Sequence, residues 1–458
     1  MRYTIPLFLM LTGCGPSSSA NESVPPASKA EPRPAVASAC PPVAFPDGPA
    51  GQRLAELVAA TNSPELALAE AVVSDAMTDE VRARYGSFVL GNAGDELSFE
   101  LCRVDFVAPT AVVATLGGAN PAGEYVYGVL AMSLDDEDKV AAMAILRAAR
   151  EDLEAPVAVL DEAAVRDAVE GLAEGLGGYV FADKADAMAK RIRNALQAGE
   201  YAGVVNGHLL ALQVSGDLFA VTGDKHLEAS YHLVAAEPPR DQTPEELEAI
   251  KKLAVRDNFG MPVAEIRNNG VAYLKVLGFV HPDLGAEPMS TTMSKLADAK
   301  ALIIDLRENG GGSSEGVAYM ASYLFGEEAV HLNDIYNREA DHTQSSYTSP
   351  NVPGRRFGPK KPIYVLTSGY TFSAAEEFAY DLQSLGRAVI VGEVTGGGAH
   401  PVEMIRISDH WSIFLPTSRS INPITKTNWE GTGVQPDVKV PADQAFDKAL
   451  DLVAAELN

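Results

Sequence analysis

A serine at the start of a helix can serve as a cap or as a nucleophile, and the stretch "YTFSAAEEF", residues 370–378, supports both readings. Ser373 follows the apolar run "PIYVLTSG" and stands three residues before Glu376. That is the spacing of a capping box, in which the hydroxyl accepts a backbone N–H and the carboxylate reaches back. The same position suits a nucleophile, because the free N–H groups and positive dipole end of a helix stabilise a developing anion. Two glycine-rich turns extend the chemistry. "DLRENGGGS", 305–313, sets three consecutive glycines after an apolar strand, so the backbone can adopt positive φ and gather N–H groups into one concavity. Such a nest holds a phosphate or an oxyanion, or is only a tight strand-to-helix turn. No Gly-Lys-Ser/Thr follows, which argues against a phosphate loop. The second turn is "EVTGGGAHP", 393–401.

These turns need strands to hold them. Beyond about residue 260 the runs "GVAYLKVLGFV", "KALIIDLREN", "KPIYVLTSG" and "RAVIVGEVT" alternate with the helical patterns "EGVAYMASYLFG" and "AAEEFAYDLQSLG". Strands alternating with helices imply βαβ units and a parallel sheet, hence an α/β domain over 255–458. Upstream, 155–240 is helical by pattern, with apolar positions three to four apart and Gly or Asn breaks. Residues 47–150 begin with a helical stretch and continue in alternating segments such as "LSFELCRVDFV" and "EYVYGVLAMSL", which predicts a small α+β unit. That unit is similar to the cone-shaped accessory domains of the nuclear-transport-factor-two-like superfamily.

Taken jointly, "ALIIDLRENGGG", "YVLTSGYTFSAAEEF" and "VGEVTGGGAHP" resemble, in order and spacing, the serine peptidases of the C-terminal-processing, tail-specific and tricorn-core family. The resemblance implies a crotonase-like ββα superhelix as catalytic core, with Ser373 as the nucleophile. It also implies an oxyanion hole made by the Gly311 and Ala374 N–H groups. A serine hydroxyl needs a base to take its proton. The tail-specific branch uses a lysine in a Gly-Lys-Gly turn about 25 residues on, where this chain has Gly396-Gly397-Gly398 and no lysine between Lys361 and Lys426. The tricorn-like and interphotoreceptor-retinoid-binding-protein-like branch takes a histidine from an Asp-x-His motif, and "TGDKHLEASY" offers Asp224-Lys225-His226. By that resemblance His226 is the base, although Lys225 stands where the tricorn-like pattern has a serine. His400, two residues after Gly398, is the rival base.

A carboxylate should orient the imidazole. "NWEGTGVQPDV" resembles the family's acidic C-terminal segment and assigns Glu430 to this role; Asp437 reads as a turn into a last strand. Glu376 and Glu377 are expected to cap and solvate the helix behind Ser373. About thirty residues separate His226 from "NFGMPVAEI", too few for the PDZ module of the tail-specific enzymes, which again favours the retinoid-binding-protein-like branch. The implied activity is that of a serine endopeptidase acting on peptides or unfolded proteins. The alternative is an inactive binding module for an apolar ligand or peptide on the same fold. No motif calls for a cofactor or a metal.

The first residues, "MRYTIPLFLMLTGC", read as a secretion signal too short to span a bilayer. They resemble a bacterial lipobox, which implies cleavage after residue 13 and an acylated Cys14 as membrane anchor. Gly15, rather than Asp, points by the same resemblance to the outer membrane, facing the periplasm. Residues 14–46, rich in Pro, Ser and Ala, form a flexible tether. In an oxidising compartment Cys40 and Cys102 are candidates for a disulfide. A net charge of −26 over 458 residues argues against nucleic acid as a partner.

Overall fold

The computed structural model describes residues 40–41, 43–63, 65–79, 81–82, 99–119, 125–236 and 243–457. The expected signal peptide, Cys14 and the tether up to residue 39 lie outside the described residues. The chain divides into two compact units, with the division between Ala158 and Val159.

In the first unit, helices α1 (Pro49–Thr61) and α2 (Leu66–Ala76) precede strands β1 (Phe99–Ala108), β2 (Ala111–Ala119), β3 (Tyr125–Leu134) and β4 (Val140–Ala148). The strands form an antiparallel meander in sequence order. Leu54 and Leu57 of α1 meet Val112, Ala114, Met132 and Val140 of the sheet in one buried cluster, because an amphipathic helix and a sheet each bury one apolar face. Cys40 and Cys102 are joined in a disulfide that closes a separation of 62 residues and ties the start of the unit to β1. A short helix, α3 (Arg150–Glu154), follows.

The second unit opens with α4 (Glu162–Gly175), α5 (Ala182–Ala198) and α6 (Gly207–Thr222). Asp161 and Asn206 cap α4 and α6 by accepting backbone N–H groups. Gly223, at φ 70°, ends α6 in the left-handed conformation that a Cβ disfavours and turns the chain into Asp224-Lys225-His226. A strand then appears inside the region that the sequence pattern read as helical: β5 (Glu228–Tyr231).

After α7 (Pro244–Arg256) come β6 (Val263–Ile266), β7 (Val271–Lys275), α8 (Pro282–Leu296), β8 (Ala301–Asp305), α9 (Ser314–Ser322), β9 (His331–Asn337) and β10 (His342–Tyr347). They are followed by β11 (Ile363–Thr367), α10 (Ala374–Ser384), β12 (Val389–Gly392), β13 (Val402–Arg406), β14 (Trp411–Pro416), β15 (Ser418–Ile421), β16 (Val438–Lys439) and α11 (Ala445–Leu457). The main sheet runs β16-β12-β11-β8-β7-β6, parallel except for the β6–β7 hairpin. Every residue of β8 and β11 is buried, as expected for parallel strands covered on both faces. This α/β core with its helical region and the preceding α+β unit is the architecture expected from the sequence.

Two three-stranded sheets complete the unit, β10-β9-β15 and β13-β14-β5. In the latter, β5 pairs with β14, Tyr231 opposite Trp411 and Ala229 opposite Ile413. That pairing joins the helical region to the core and fixes the loop at 224–226. Among the described residues, no helix is long and apolar enough to cross a membrane.

The disulfide offers a test of the first unit. A cross-link over about 60 residues stabilises by about 2–4 kcal/mol, mainly by restricting the unfolded chain. Cys102→Ala should lower the thermal midpoint of that unit, followed by near-ultraviolet circular dichroism. An unchanged unfolding curve would show that the bond contributes nothing.

Candidate active site

Strands β8, β11 and β12 are neighbours in the parallel sheet, and their carboxyl ends carry the triple-glycine turn, Ser373 and the second glycine turn. Ligand sites of open parallel sheets lie at such ends. Ser373 occupies the bend between β11 and α10 at φ 56° and ψ −123°. For a residue with a Cβ this conformation costs on the order of 1–3 kcal/mol, and a strand-to-helix elbow of this kind exposes the serine hydroxyl above the sheet.

The cap-or-nucleophile question has a divided answer. The Ser373 hydroxyl makes no capping hydrogen bond, whereas its backbone N–H donates to Glu376 Oε2 at 2.9 Å. The bend itself is fixed by Thr371, whose Oγ1 donates to the Leu306 carbonyl at 2.8 Å and accepts the Ser368 N–H at 3.0 Å. Phe372 N–H donates to the Asn309 carbonyl at 3.1 Å, tying the elbow to the glycine turn after β8.

Glu376 and Glu377 do not face solvent, contrary to the expectation from sequence. Both are buried, because α10 is covered along its length from Ala374 to Ala379. Glu377 accepts the Ser314 hydroxyl at 2.6 Å. Glu376 accepts four donors: Thr395 Oγ1, and the N–H groups of Ser373, Gly397 and Gly398 at 2.9, 2.6 and 2.8 Å. Burial pushes its carboxyl up to about 7, while those donors hold it down.

Gly311 abuts Ser373: a Cβ built there would lie 2.9 Å from Ser373 Cβ and 3.3 Å from Oγ, and its φ of +125° also requires glycine. Its N–H, however, donates to Asn309 Oδ1 at 2.8 Å, so in this conformation it is not offered to an oxyanion. Ala374 is the first residue of α10, where the helix supplies no acceptor for its N–H. Of the two expected donors, Ala374 is therefore the one that is available.

His226 lies buried against the ring of Phe372, the residue before Ser373, with centroids 4.6 Å apart. A Cβ at Gly398 would fall 2.3 Å from Phe372 Cζ and 2.6 Å from His226 Cε1. The space a side chain at 398 would enter is thus taken by the Phe372 ring and by the imidazole of His226.

Behind His226 stands a polar cluster. One side-chain atom each of Asp224, His226 and Glu430 lie within 4.8 Å of one another. Asp224 Oδ1 accepts the His226 N–H at 3.0 Å, and Oδ2 accepts the Tyr179 hydroxyl at 3.0 Å. His400 Nδ1 lies 2.6 Å from Asp224 Oδ2 and 3.5 Å from Glu430 Oε2. Glu430 Oε2 accepts the Ala399 N–H at 2.7 Å. Both Asp224 oxygens and Glu430 Oε2 are therefore committed within the protein, whereas Glu430 Oε1 is buried without a hydrogen-bond partner.

Two carboxylates this close repel by about 3 kcal/mol at an effective dielectric of ~20. They respond differently. Burial pushes Asp224 up, but the hydrogen bond from His400 and the charges of His400 and His226 bring it below its usual value. Burial and the neighbouring Asp224 charge push Glu430 up to about 7. Lys225 is turned away to the Gly396 carbonyl at 2.6 Å.

Gly311 and Ala374 adjoin Ser373, His226 packs on Phe372 beside it, and Glu430 and the rival His400 gather with His226 around Asp224. Asp437 stays apart, accepting the Ile390 N–H at 2.8 Å beside β16. Asp224 and Tyr179 were not singled out as site residues from sequence. The Asp-x-His motif could have indicated Asp224, whereas nothing in the sequence marks Tyr179, 45 residues away from it.

Residues 270–440 match the family model described as peptidase family S41, and residues 154–258 match that of the N-terminal domain of peptidase S41 in eukaryotic IRBP. The chain is similar to the tail-specific protease of Haemophilus influenzae, 31% identical over 137 residues, which are 29% of this chain and 18% of that protein. It is similar to the carboxyl-terminal-processing protease of Synechocystis, 28% identical over 167 residues, 34% of this chain and 37% of that protein. Among solved structures, the tricorn protease aligns with 79% of this chain and 45% of its own at 12% identity and a TM-score of 0.42. The chain spans less than half the length of these curated relatives. Residues 154–258 and 270–440 are thus similar to two successive parts of peptidase family S41.

The packing at Gly398 can be tested directly. Gly398→Ala should reduce labelling of Ser373 by a fluorophosphonate at least a hundredfold, since displacing a reacting group by about 1 Å costs that much. Overpacking should lower stability by only about 1–3 kcal/mol in denaturant titration. Full labelling of the variant would show that His226 does not need this space.

Proposed function

We propose that the chain is a serine endopeptidase that cleaves exported or cell-envelope proteins through an acyl-enzyme on Ser373, using a Ser-His-Glu arrangement in place of a Ser-Lys dyad. The observation that carries this is the Ser373 elbow: a strained non-glycine residue whose hydroxyl is not used as a cap, with a buried imidazole against the preceding side chain. Strain of this kind persists only where the surroundings enforce it, and it clusters at functional sites.

In the proposed cycle Ser373 Oγ attacks the scissile carbonyl carbon while its proton passes to His226. The carbonyl oxygen becomes an oxyanion and accepts the Ala374 N–H, with Gly311 joining if its N–H leaves Asn309. Collapse breaks the C–N bond, and the leaving amine takes the proton from His226. Water then attacks the acyl carbon, gives its proton to His226, and the product acid leaves as Ser373 recovers its hydrogen. Glu430 faces the imidazole and stabilises the imidazolium that forms twice in each turnover. His226, rather than His400, takes the base role because it packs against Phe372, whereas His400 is engaged with Asp224.

Export fits the Cys40–Cys102 disulfide, a bond that persists in oxidising compartments. The lipid anchor on Cys14 and an outer-membrane location facing the periplasm extend the same proposal.

A fluorophosphonate probe should label wild-type protein and fail on Ser373→Ala, with cleavage of an unfolded protein lost in parallel; wild-type protein that takes no label and cleaves nothing would leave only the binding-module reading. The pH profile has a definite sign. Glu430 must be ionised to support the imidazolium, and its carboxyl is pushed up to about 7. Activity should therefore rise with pH through about 7, not through the ordinary carboxyl range near 4.5. A rate already at its plateau at pH 5 would contradict the role given to Glu430.

A further inference from the structure

The region around Glu430 contains a second histidine that the proposed cycle does not use. His400 is buried and has its ring edge against Phe181, with centroids 5.5 Å apart. Its Nδ1 faces two carboxylates at once, Asp224 Oδ2 at 2.6 Å and Glu430 Oε2 at 3.5 Å. An ionised carboxylate only accepts hydrogen bonds, so Nδ1 carries the hydrogen that lies between them. The two acids come from distant segments, the loop after α6 and the turn before β16, and His400 lies beside both, hydrogen-bonded to Asp224.

We infer that His400 is a positioning residue: its Nδ1–H, donated to Asp224 and 3.5 Å from Glu430 Oε2, eases the repulsion between the two acids so that Glu430 can ionise and serve His226. The inference rests on the Ser-His-Glu reading above. Without His400, Glu430 would face Asp224 with nothing to offset the repulsion and would take up a proton more readily. A protonated Glu430 no longer stabilises an imidazolium.

The other groups facing this cluster do not substitute for His400. Tyr179 donates to Asp224 and so serves only that acid. His226 donates its backbone N–H to Asp224, and its ring is the proton acceptor for Ser373. Lys225 acts on Glu430 only through its charge, because its ammonium is held at the Gly396 carbonyl. Arg419 and Lys184 lie over the far ring of Phe181, 5.5 and 5.6 Å from its centroid. Glu376 is bonded to its own four donors beyond Gly398.

The test is the ionisation of Glu430, read in the full chain by carboxyl ¹³C resonance with Glu430→Gln as the assignment control, alongside the pH profile of Ser373 labelling. In His400→Phe the Glu430 titration and the acid limb of labelling should both move up by at least one pH unit. Labelling at pH 6.5 should fall about tenfold and recover by pH 9. His400→Gln, which keeps an N–H donor, should give back part of the shift; it also serves if the Phe variant does not fold. Asp224→Asn, which removes the neighbouring charge, should move the Glu430 titration down. An unchanged Glu430 titration in both His400 variants would overturn the inference, as would a folded His400→Phe protein that stays unlabelled at every pH. Absence of labelling in wild-type protein would count against the peptidase reading, and the resonance titration would still decide the role of His400.

Discussion

One buried carboxylate holds the site together. Glu376 takes its hydrogen bonds from the Ser373 N–H and from Thr395, Gly397 and Gly398 of the turn after β12. Thr395 passes the restraint on by accepting the Val434 N–H at 2.6 Å, beyond the segment that carries Glu430. The Trp429 indole donates to the Gly398 carbonyl at 2.7 Å from the same segment. The serine elbow, the glycine turn and the acidic segment are thus fixed relative to one another through a single side chain. Removing water from such a group is costly, and the cost is met because each oxygen accepts two hydrogen bonds. A glutamine in its place would keep the volume but bring two N–H donors to a position surrounded by donors.

Against that frame, His226 is the part delivered from elsewhere. It arrives on the loop after α6, and β5 immediately behind it is hydrogen-bonded to β14 of the core. Gly398 leaves room for the ring, and Phe372 supplies its packing surface. In the proposed site the absence of a side chain at Gly398 is therefore as much a part of the arrangement as the histidine.

Much of this was legible in the sequence for identifiable reasons. Alternation of apolar strands with helical patterns gave β7, β8, β11 and β12 with α9 and α10, because buried parallel strands and their crossovers leave strong periodic signals. Ser373 and the two glycine turns stood out for the same local reasons. The burial of Glu376 and Glu377 was not legible. Periodicity reports one apolar face, whereas α10 is enclosed on the others by polar partners such as Ser314 and Thr395 that are far away in sequence. Strand β5 was missed because four residues carry too little pattern to stand out from the helical region around them, and its partner lies 180 residues downstream. The engagement of the Gly311 N–H by Asn309 is likewise a matter of local geometry that residue type alone does not specify.

The pairing of β5 with β14 has a consequence for when the molecule becomes reactive. A ribosome that has released the chain only as far as Gly398 has made Ser373 and His226, but neither β14 to seat the histidine nor Glu430 to support its charge. The contacts that complete the constellation are among the longest in the chain, and long-range contacts form late because the loops they close are costly in entropy. Under the proposed mechanism, reactivity therefore switches on with the final assembly of the fold. A half-made chain, surrounded by its own unfolded segments, has no competent nucleophile with which to cut them.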